Sequence, residues 1–104
     1  MSACLVVRAQ VVDPSVKDAF DRWYQDDHLP DAMKTFGARG AWRGWSDVDP
    51  SVHYAVYEFD DIAQVRAIAE SAGLKRLVKD FDAAWGKKVV RMREMLSVAQ
   101  RIGG

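Results

Sequence analysis

One cysteine, two histidines and three prolines are all that 104 residues contain of those types, and each scarcity excludes something. With Cys4 alone no disulfide can form within the chain, which suits a reducing cytoplasm and makes a small buried thiol the simplest reading of that residue. No apolar run approaches a membrane span, and Ala3 to Val7 is too short for a secretory segment and is followed by Arg8. Charge of one sign is not in excess: 15 Lys and Arg face 15 Asp and Glu, so no field recruits nucleic acid or an acidic membrane. Glycine-rich phosphate loops, the G-x-S-x-G elbow and a Cys and His pair within a motif are all missing, which removes the usual signatures of nucleotide binding and covalent hydrolysis. Neither solenoid repeats nor low-complexity linkers interrupt the chain, so residues 1–104 are expected to form one domain.

What is present is regular patterning. Leu5 to Val12 alternates, with Leu5, Val7, Ala9 and Val11 on one face, and predicts a first strand. Asp13 then caps a helix with Pro14 at its first position, along which Val16, Ala19, Phe20 and Trp23 form an apolar stripe. A second stripe, Leu29, Ala32, Met33 and Phe36, is out of phase with the first by roughly a third of a turn at ~100° per residue. One straight helix cannot bury both, and Pro30 supplies a reason for a kink or restart over His28 to Pro30.

Gly37 should end this region, and Gly40 to Ser46 and His53 to Phe59 read as strands joined by the turn Asp47 to Ser51. Ile62, Val65, Ile68, Ala69 and Ala72 predict a second helix interrupted by Gly73, followed by a short third one bearing Leu74, Leu77, Val78, Phe81 and Trp85. Gly86 is a stop, and Lys88 to Val98 is a last strand before the tail Arg101 to Gly104. The order β, broken α, β, β, α, β predicts a ferredoxin-like α+β fold: a four-stranded antiparallel sheet with helices on one face. The other face would carry Arg8, Gln10, Arg43 or Trp42, Glu58 and Arg93, too polar for a dry core and too aromatic for plain solvent. Two such faces packed together would make a dimeric α+β barrel with a shared pocket.

His28 is the leading chemical candidate, because an imidazole titrates near neutrality and a helix end would favour its cationic form. Tyr24 lies one turn before it, and a regular helical wheel projects Asp27 toward Trp23 and Phe20, where Asp27 or Asp31 could orient the ring. The same His28 could instead be a C-cap, and Trp23 ordinary core. Trp42 and Trp45 read as sheet packing or as ligand contacts, and Arg8, Arg43, Arg91 and Arg93 as strand-surface charges or as ligand contacts in a dimer. His53 begins a strand beside a turn and is expected to be exposed. The two histidines are far apart in sequence and His28 has only Asp27 and Asp31 at helical spacing, so no metal and no cofactor are expected.

Phe20-x-x-Trp23-Tyr24 followed by His28-Leu29-Pro30-Asp31, on the first helix of this topology, resembles the EthD-like branch of the dimeric α+β barrel superfamily, with its W-Y-x-x-x-H-L-P pattern. The proline-glycine-phenylalanine turn that often follows is replaced here by Gly37-Ala38-Arg39-Gly40. The resemblance implies a homodimer whose two sheets enclose a small pocket, with His28 at its mouth or wall. Relatives include polyketide cyclases, lactone isomerases, decarboxylases or dehydratases of aromatic polyketides, and cofactor-independent monooxygenases, whose theme is proton transfer on an enolisable or phenolic compound. Carried onto this chain, His28 would be the general acid/base, Tyr24 or Asp27 its helper, and Arg8 or Arg43 a stabiliser of enolate charge. Trp23, Trp42, Trp45, Glu58 and Arg93 complete the expected ligand-contacting set. A non-catalytic ligand-binding module and a cofactor-independent or haem-linked monooxygenase relative are the alternatives.

Overall fold

Alternation decides the first strand. In the computed structural model, which describes residues 2–103, β1 (Ala3–Val11) buries Ala3, Leu5, Val7, Ala9 and Val11 and turns the intervening residues to the opposite face. Asp13 ends it and caps a single 3-10 turn (Pro14–Val16), its carboxylate accepting from the Ser15 amide at 3.0 Å. Helix α1 (Lys17–Trp23) follows, running without a break through Tyr24–His28 into α2 (Leu29–Phe36).

The expected kink is not a restart. Tyr24–His28 is a turn of π-helix, in which the Leu29 amide donates to the Tyr24 carbonyl five residues back, and Trp23, Tyr24, His28 and Leu29 all keep right-handed helical angles. Pro30 has no amide hydrogen to give to the carbonyl four residues earlier, so a wide turn here leaves less to break. One extra residue rotates everything after it by about 100°, which is the phase offset between the two apolar stripes. Phe20 and Tyr24 before it, and Ala32 after it, all end up buried. His28 is therefore not a C-cap. Gly37, at φ 63° and ψ 35°, ends α2 instead, with Ala38 donating to the Met33 carbonyl as in a Schellman motif.

Strands β2 (Gly40–Trp45) and β3 (Val52–Phe59) form the expected hairpin, and β4 (Val89–Ser97) closes a sheet of order β2-β3-β1-β4, antiparallel throughout. This is the ferredoxin-like α+β arrangement. Helices α3 (Ile62–Ala69) and α4 (Ala72–Trp85) join α1 and α2 over the Leu5 face. The break between α3 and α4 falls before Gly73, at Ser71, whose hydroxyl accepts from the Leu74 amide and donates to the Ile68 carbonyl. Gly73 lies inside α4, which at 14 residues is the longest helix and not a short one. The glycine is there for proximity, since a Cβ on it would stand 2.6 Å from Thr35 Cγ2 on α2.

Register sorts the sheet faces. Trp42 opposes Val56 while Arg43 opposes Ala55, and Arg93 opposes Val7, so Trp42 is on the open face and both arginines are under the helices. The expected place of Arg93 on the open face is thus corrected, and of the alternatives Arg43 or Trp42 it is Trp42 that lies there; facing pairs share a side, and the phase of one strand against its neighbour is not visible in either strand alone. The open face carries Val6, Arg8, Trp42, Tyr54, Val56, Glu58, Met92, Glu94 and Leu96, with Trp42 54% and Met92 59% exposed. No helix among the described residues is long and apolar enough to cross a membrane.

Gly73→Ala tests the α2 to α4 contact. Thr35 cannot rotate its methyl away freely, because its hydroxyl donates to Asp31 and accepts from Arg76. In an open helix the change would gain about 1 kcal/mol; here it should cost about 1–3 kcal/mol. Denaturant unfolding of Gly73→Ala and of Gly73→Ala with Thr35→Ser should show that loss and its recovery, since serine keeps the hydroxyl and drops the methyl.

Candidate functional site

The wide turn aims two successive inward residues at the same space. Tyr24 is fully buried, and its ring centre lies 4.9 Å from that of His28 on one side and 4.4 Å from that of His53 on the other. Trp23 stacks on His28 at 4.5 Å and 17° from parallel, and Phe81 of α4 closes the other side at 5.8 Å. Phe20 is the hub behind them, packed edge-on against Trp45, His53, Phe81 and Trp85.

Burial sets the protonation states. It pushes the His28 imidazole down to about 4; Asp31 and Asp80 pull upward, Arg91 and Arg76 downward. The expectation of a cationic ring at a helix end is thereby reversed, because the helix does not end there and the aromatic walls do not solvate charge. Tyr24 is pushed up to about 12 by burial, partly offset by a hydrogen bond with the Tyr57 hydroxyl, and Tyr57 is pushed higher still by its own burial. At neutral pH the site holds a neutral imidazole beside two protonated phenols.

These groups border a small cavity of about 30 Å³ between helices and sheet, lined by Tyr24, His28, Tyr57, Arg91 and Arg93 among Leu5, Val7, Phe36, Leu74, Leu77, Val78 and Phe81. Leu5, Leu74 and Arg93 also line an adjoining cleft of about 210 Å³ that reaches Ala69 and Met95. The cavity alone holds a water or two; the cleft exceeds the ~150 Å³ that accepts a single aromatic ring. Both lie within one chain, on the helix side of the sheet. His28 thus borders a space under the helices and not the open sheet face.

A second polar cluster backs the first. Asp21 accepts from Arg43 Nη1 and from Trp45 Nε1, each at 2.8 Å, and these hydrogen bonds hold its carboxyl below the usual range. The same Arg43 nitrogen lies 3.3 Å from His53 Nε2. A guanidinium only donates, so Nε2 is bare and the neutral ring carries its hydrogen on Nδ1, which is buried without a partner. His53 is fully buried, against the expectation of exposure, and burial followed by the Arg43 charge pushes it down to about 4. Its parity with Ala55, Tyr57 and Phe59 along the strand was the available signal.

Of the expected residues, the fold brings His28, Tyr24, Trp23 and Arg93 together. Arg43 and Trp45 join Asp21 and His53 instead, behind Tyr24. Asp27 is exposed and makes no hydrogen bond or ion pair among the described residues, which corrects its projection toward Trp23 and Phe20; a wheel drawn at regular spacing fails inside a π turn. Arg8, Trp42 and Glu58 are across the sheet from His28. Tyr57 is the polar cavity residue that the expected site omits, and Arg91, weighed with the other strand arginines as a ligand contact, lines the cavity too. Among the described residues no three of His, Cys, Asp and Glu converge to hold a metal ion.

No family model and no curated protein matches the chain in sequence. Its structure is similar to that of an EthD (ethyl tert-butyl ether D) family protein from Bacillus halodurans C-125, with a TM-score of 0.68 at 22% identity over 90% of this chain and 97% of the other. HapK from Hahella chejuensis matches with a TM-score of 0.69 at 18% identity over 98% and 95%. A variant of SnoaB, a cofactor-independent oxygenase from Streptomyces nogalater, matches with a TM-score of 0.67 at 11% identity over 99% and 98%. These likenesses, all at 22% identity or below, show the ferredoxin-like α+β fold, and the resemblance read from Trp23 to Asp31 is borne out at the level of the fold.

The two depressed imidazoles make stability depend on pH. An unfolded chain binds protons at both rings below about 6.5, whereas the folded chain does so only near 4. Unfolding therefore takes up protons between these values, and the contribution present above pH 6.5 is lost as pH falls through about 4. Urea unfolding followed from pH 7 to 4 should show a slope approaching two protons from the rings, reduced by one in His28→Phe; an unchanged slope in that variant would remove the ring's part.

Proposed function

We propose that the chain binds a small, largely apolar molecule with an enolisable or phenolic centre and moves a proton on it, with His28 as the base. The observation that carries this reading is a neutral, partly buried imidazole bordering, together with the Tyr24 and Tyr57 hydroxyls, a cavity whose other walls are mostly apolar. An uncharged imidazole can accept a proton without first losing one. Tyr57 donates to Tyr24, which leaves the Tyr24 hydrogen for the oxygen on which enolate or phenolate charge develops. The hydroxyls polarise one another in a low-dielectric setting, which strengthens that donation.

A ring held near 4 is a weak base when the cavity is empty. Formation of an anion beside it reverses the balance, because an opposite charge at short range favours imidazolium. Proton transfer and ion-pair formation then support each other, and the apolar wall keeps water from dissipating the pair. The shared fold of the EthD family protein and of the cofactor-independent oxygenase is consistent with chemistry at this place but assigns none.

The open sheet face points to a second copy of the chain as the partner. Trp42, Tyr54, Met92 and Leu96 are exposed beside Val6 and Val56, with Arg8 and Glu94 interspersed. Self-association would cover these side chains, leaving one site per chain on the helix side.

Two measurements test these readings. On a compound accepted from a panel of phenols and lactones, His28→Gln should lower kcat/KM by about 10²–10⁴-fold and Tyr24→Phe by about 10²–10³-fold. The wild-type profile of kcat/KM should stay level until pH falls toward about 4, not 6.5; unaltered rates in His28→Gln would end the histidine's role. Sedimentation should give a dimer at micromolar concentration that Trp42→Glu converts to monomer, and a wild-type monomer would overturn the partner assignment.

A further inference from the structure

Two arginines occupy the cavity's β4 wall, and they differ in what holds them. Arg91 and Arg93 are alternate residues on the strand, opposite Ala9 and Val7, and so point to the same side. Arg91 lies over the Phe81 ring, 4.5 Å from its centre, and its Nη1 is buried without a hydrogen bond; Asp82 approaches that atom at 3.4 Å from an exposed position. Arg93 has neither an ion pair nor a side-chain hydrogen bond among the described residues, although it lines both the cavity and the cleft.

The surrounding charge does not explain this arrangement. Arg76 satisfies Asp31 and Asp80 across the α2 to α4 seam, and Arg43 is paired with Asp21 behind Tyr24. No acidic side chain lines the cavity or the cleft, whose remaining residues are apolar apart from His28 and the two tyrosines. The buried Arg91 Nη1 has the exposed Asp82 carboxylate at 3.4 Å but no hydrogen bond, and a buried donor left without one is costly. An unpaired guanidinium one pleat further out leaves a fork of donors facing the same cleft, with the geometry suited to two oxygens at once.

We infer that the molecule bound beside His28 carries a carboxylate, held by Arg93 where the cavity meets the cleft and assisted by Arg91 on the cavity wall, with its ring along Leu5, Leu74 and Leu77. This rests on the binding site proposed above and narrows its ligand to aromatic or enolisable acids. The anion anchors the molecule at the β4 end, and its enolic or phenolic end lies toward His28 and Tyr24. Orientation then follows from charge at one end and neutral donors at the other.

A matched pair of probes separates the acid from the site itself. 4-Hydroxybenzoate and 4-hydroxybenzamide have the same ring with the phenol opposite the second group, and differ only in whether that group is charged. Titration calorimetry on the full chain at neutral pH should give at least a tenfold tighter Kd for the acid. Arg93→Gln, a change at an exposed position, should bring the ratio close to one by weakening the acid alone, and Arg91→Gln should act in the same direction. Equal binding of both probes, lost in His28→Gln, would overturn the carboxylate assignment and leave the proposed function standing. A preference for the acid that survives in both arginine variants would also overturn it. Failure of both probes to bind would overturn the inference along with the site on which it rests.

Discussion

Pro30 lacks the amide hydrogen that a regular helix would require of it, and the site follows from how the chain absorbs that defect. A wide turn over Tyr24–His28 lets the Leu29 amide reach back five residues to Tyr24. The additional residue rotates the second half of the helical region so that both apolar stripes meet the same core. It also puts Tyr24 and His28 on one inward side and Asp27 on the other. Had the helix stayed regular, Leu29 and Ala32 would be turned away from the packing that buries them, and the histidine would lose its stack on Trp23.

The aromatic packing around Phe20 converts that geometry into chemistry. Rings of Trp23, Tyr24, Phe81 and Trp85 surround it, and the imidazoles of His28 and His53 are built into the same cluster. Such walls provide contact area and little solvation, so both imidazoles are neutral while carboxylates in contact with arginine remain charged. Of the polar groups inside, Asp21 is paired with Arg43 and Trp45, Tyr24 and Tyr57 stand at the cavity, and His53 Nδ1 and Trp85 Nε1 are buried without a hydrogen bond. The sheet divides the molecule: its helix-covered face holds the cavity and its open face holds the exposed aromatics. Because side chains alternate along each strand, neighbours in sequence such as Trp42 and Arg43 belong to different parts of the molecule.

Much of the fold was legible because its signals are periodic. Alternation in Leu5 to Val12, capping at Asp13, the stop at Gly37 and the hairpin around Asp47 to Ser51 each rest on a few adjacent residues, and together they specify the strand and helix order. The phase slip around His28 was equally visible, although its cause was read as a kink. What adjacent residues do not contain is the register between strands, which moves Arg93 under the helices and decides for Trp42 over Arg43 on the open face, or the approach of α4 to α2, which turns Gly73 from an apparent breaker into a close contact. Ser71 was the better signal for that boundary, since a hydroxyl that caps the following turn ends a helix more decisively than a glycine weakens one.

By itself, then, the sequence determined the fold class, the irregularity at Tyr24 to Pro30 and the nomination of His28 and Tyr24, because these depend on local spacing and on the covalent peculiarity of proline. Tertiary structure alone decided which charge states and which companions those residues have. Desolvation among Trp23, Tyr24 and Phe81 makes His28 neutral, strand register brings Arg91 and Arg93 to its cavity, and hairpin parity buries His53 behind Tyr24. Desolvation and proximity are properties of the packed chain, created by residues distant in sequence, and no stretch of adjacent letters encodes them alone.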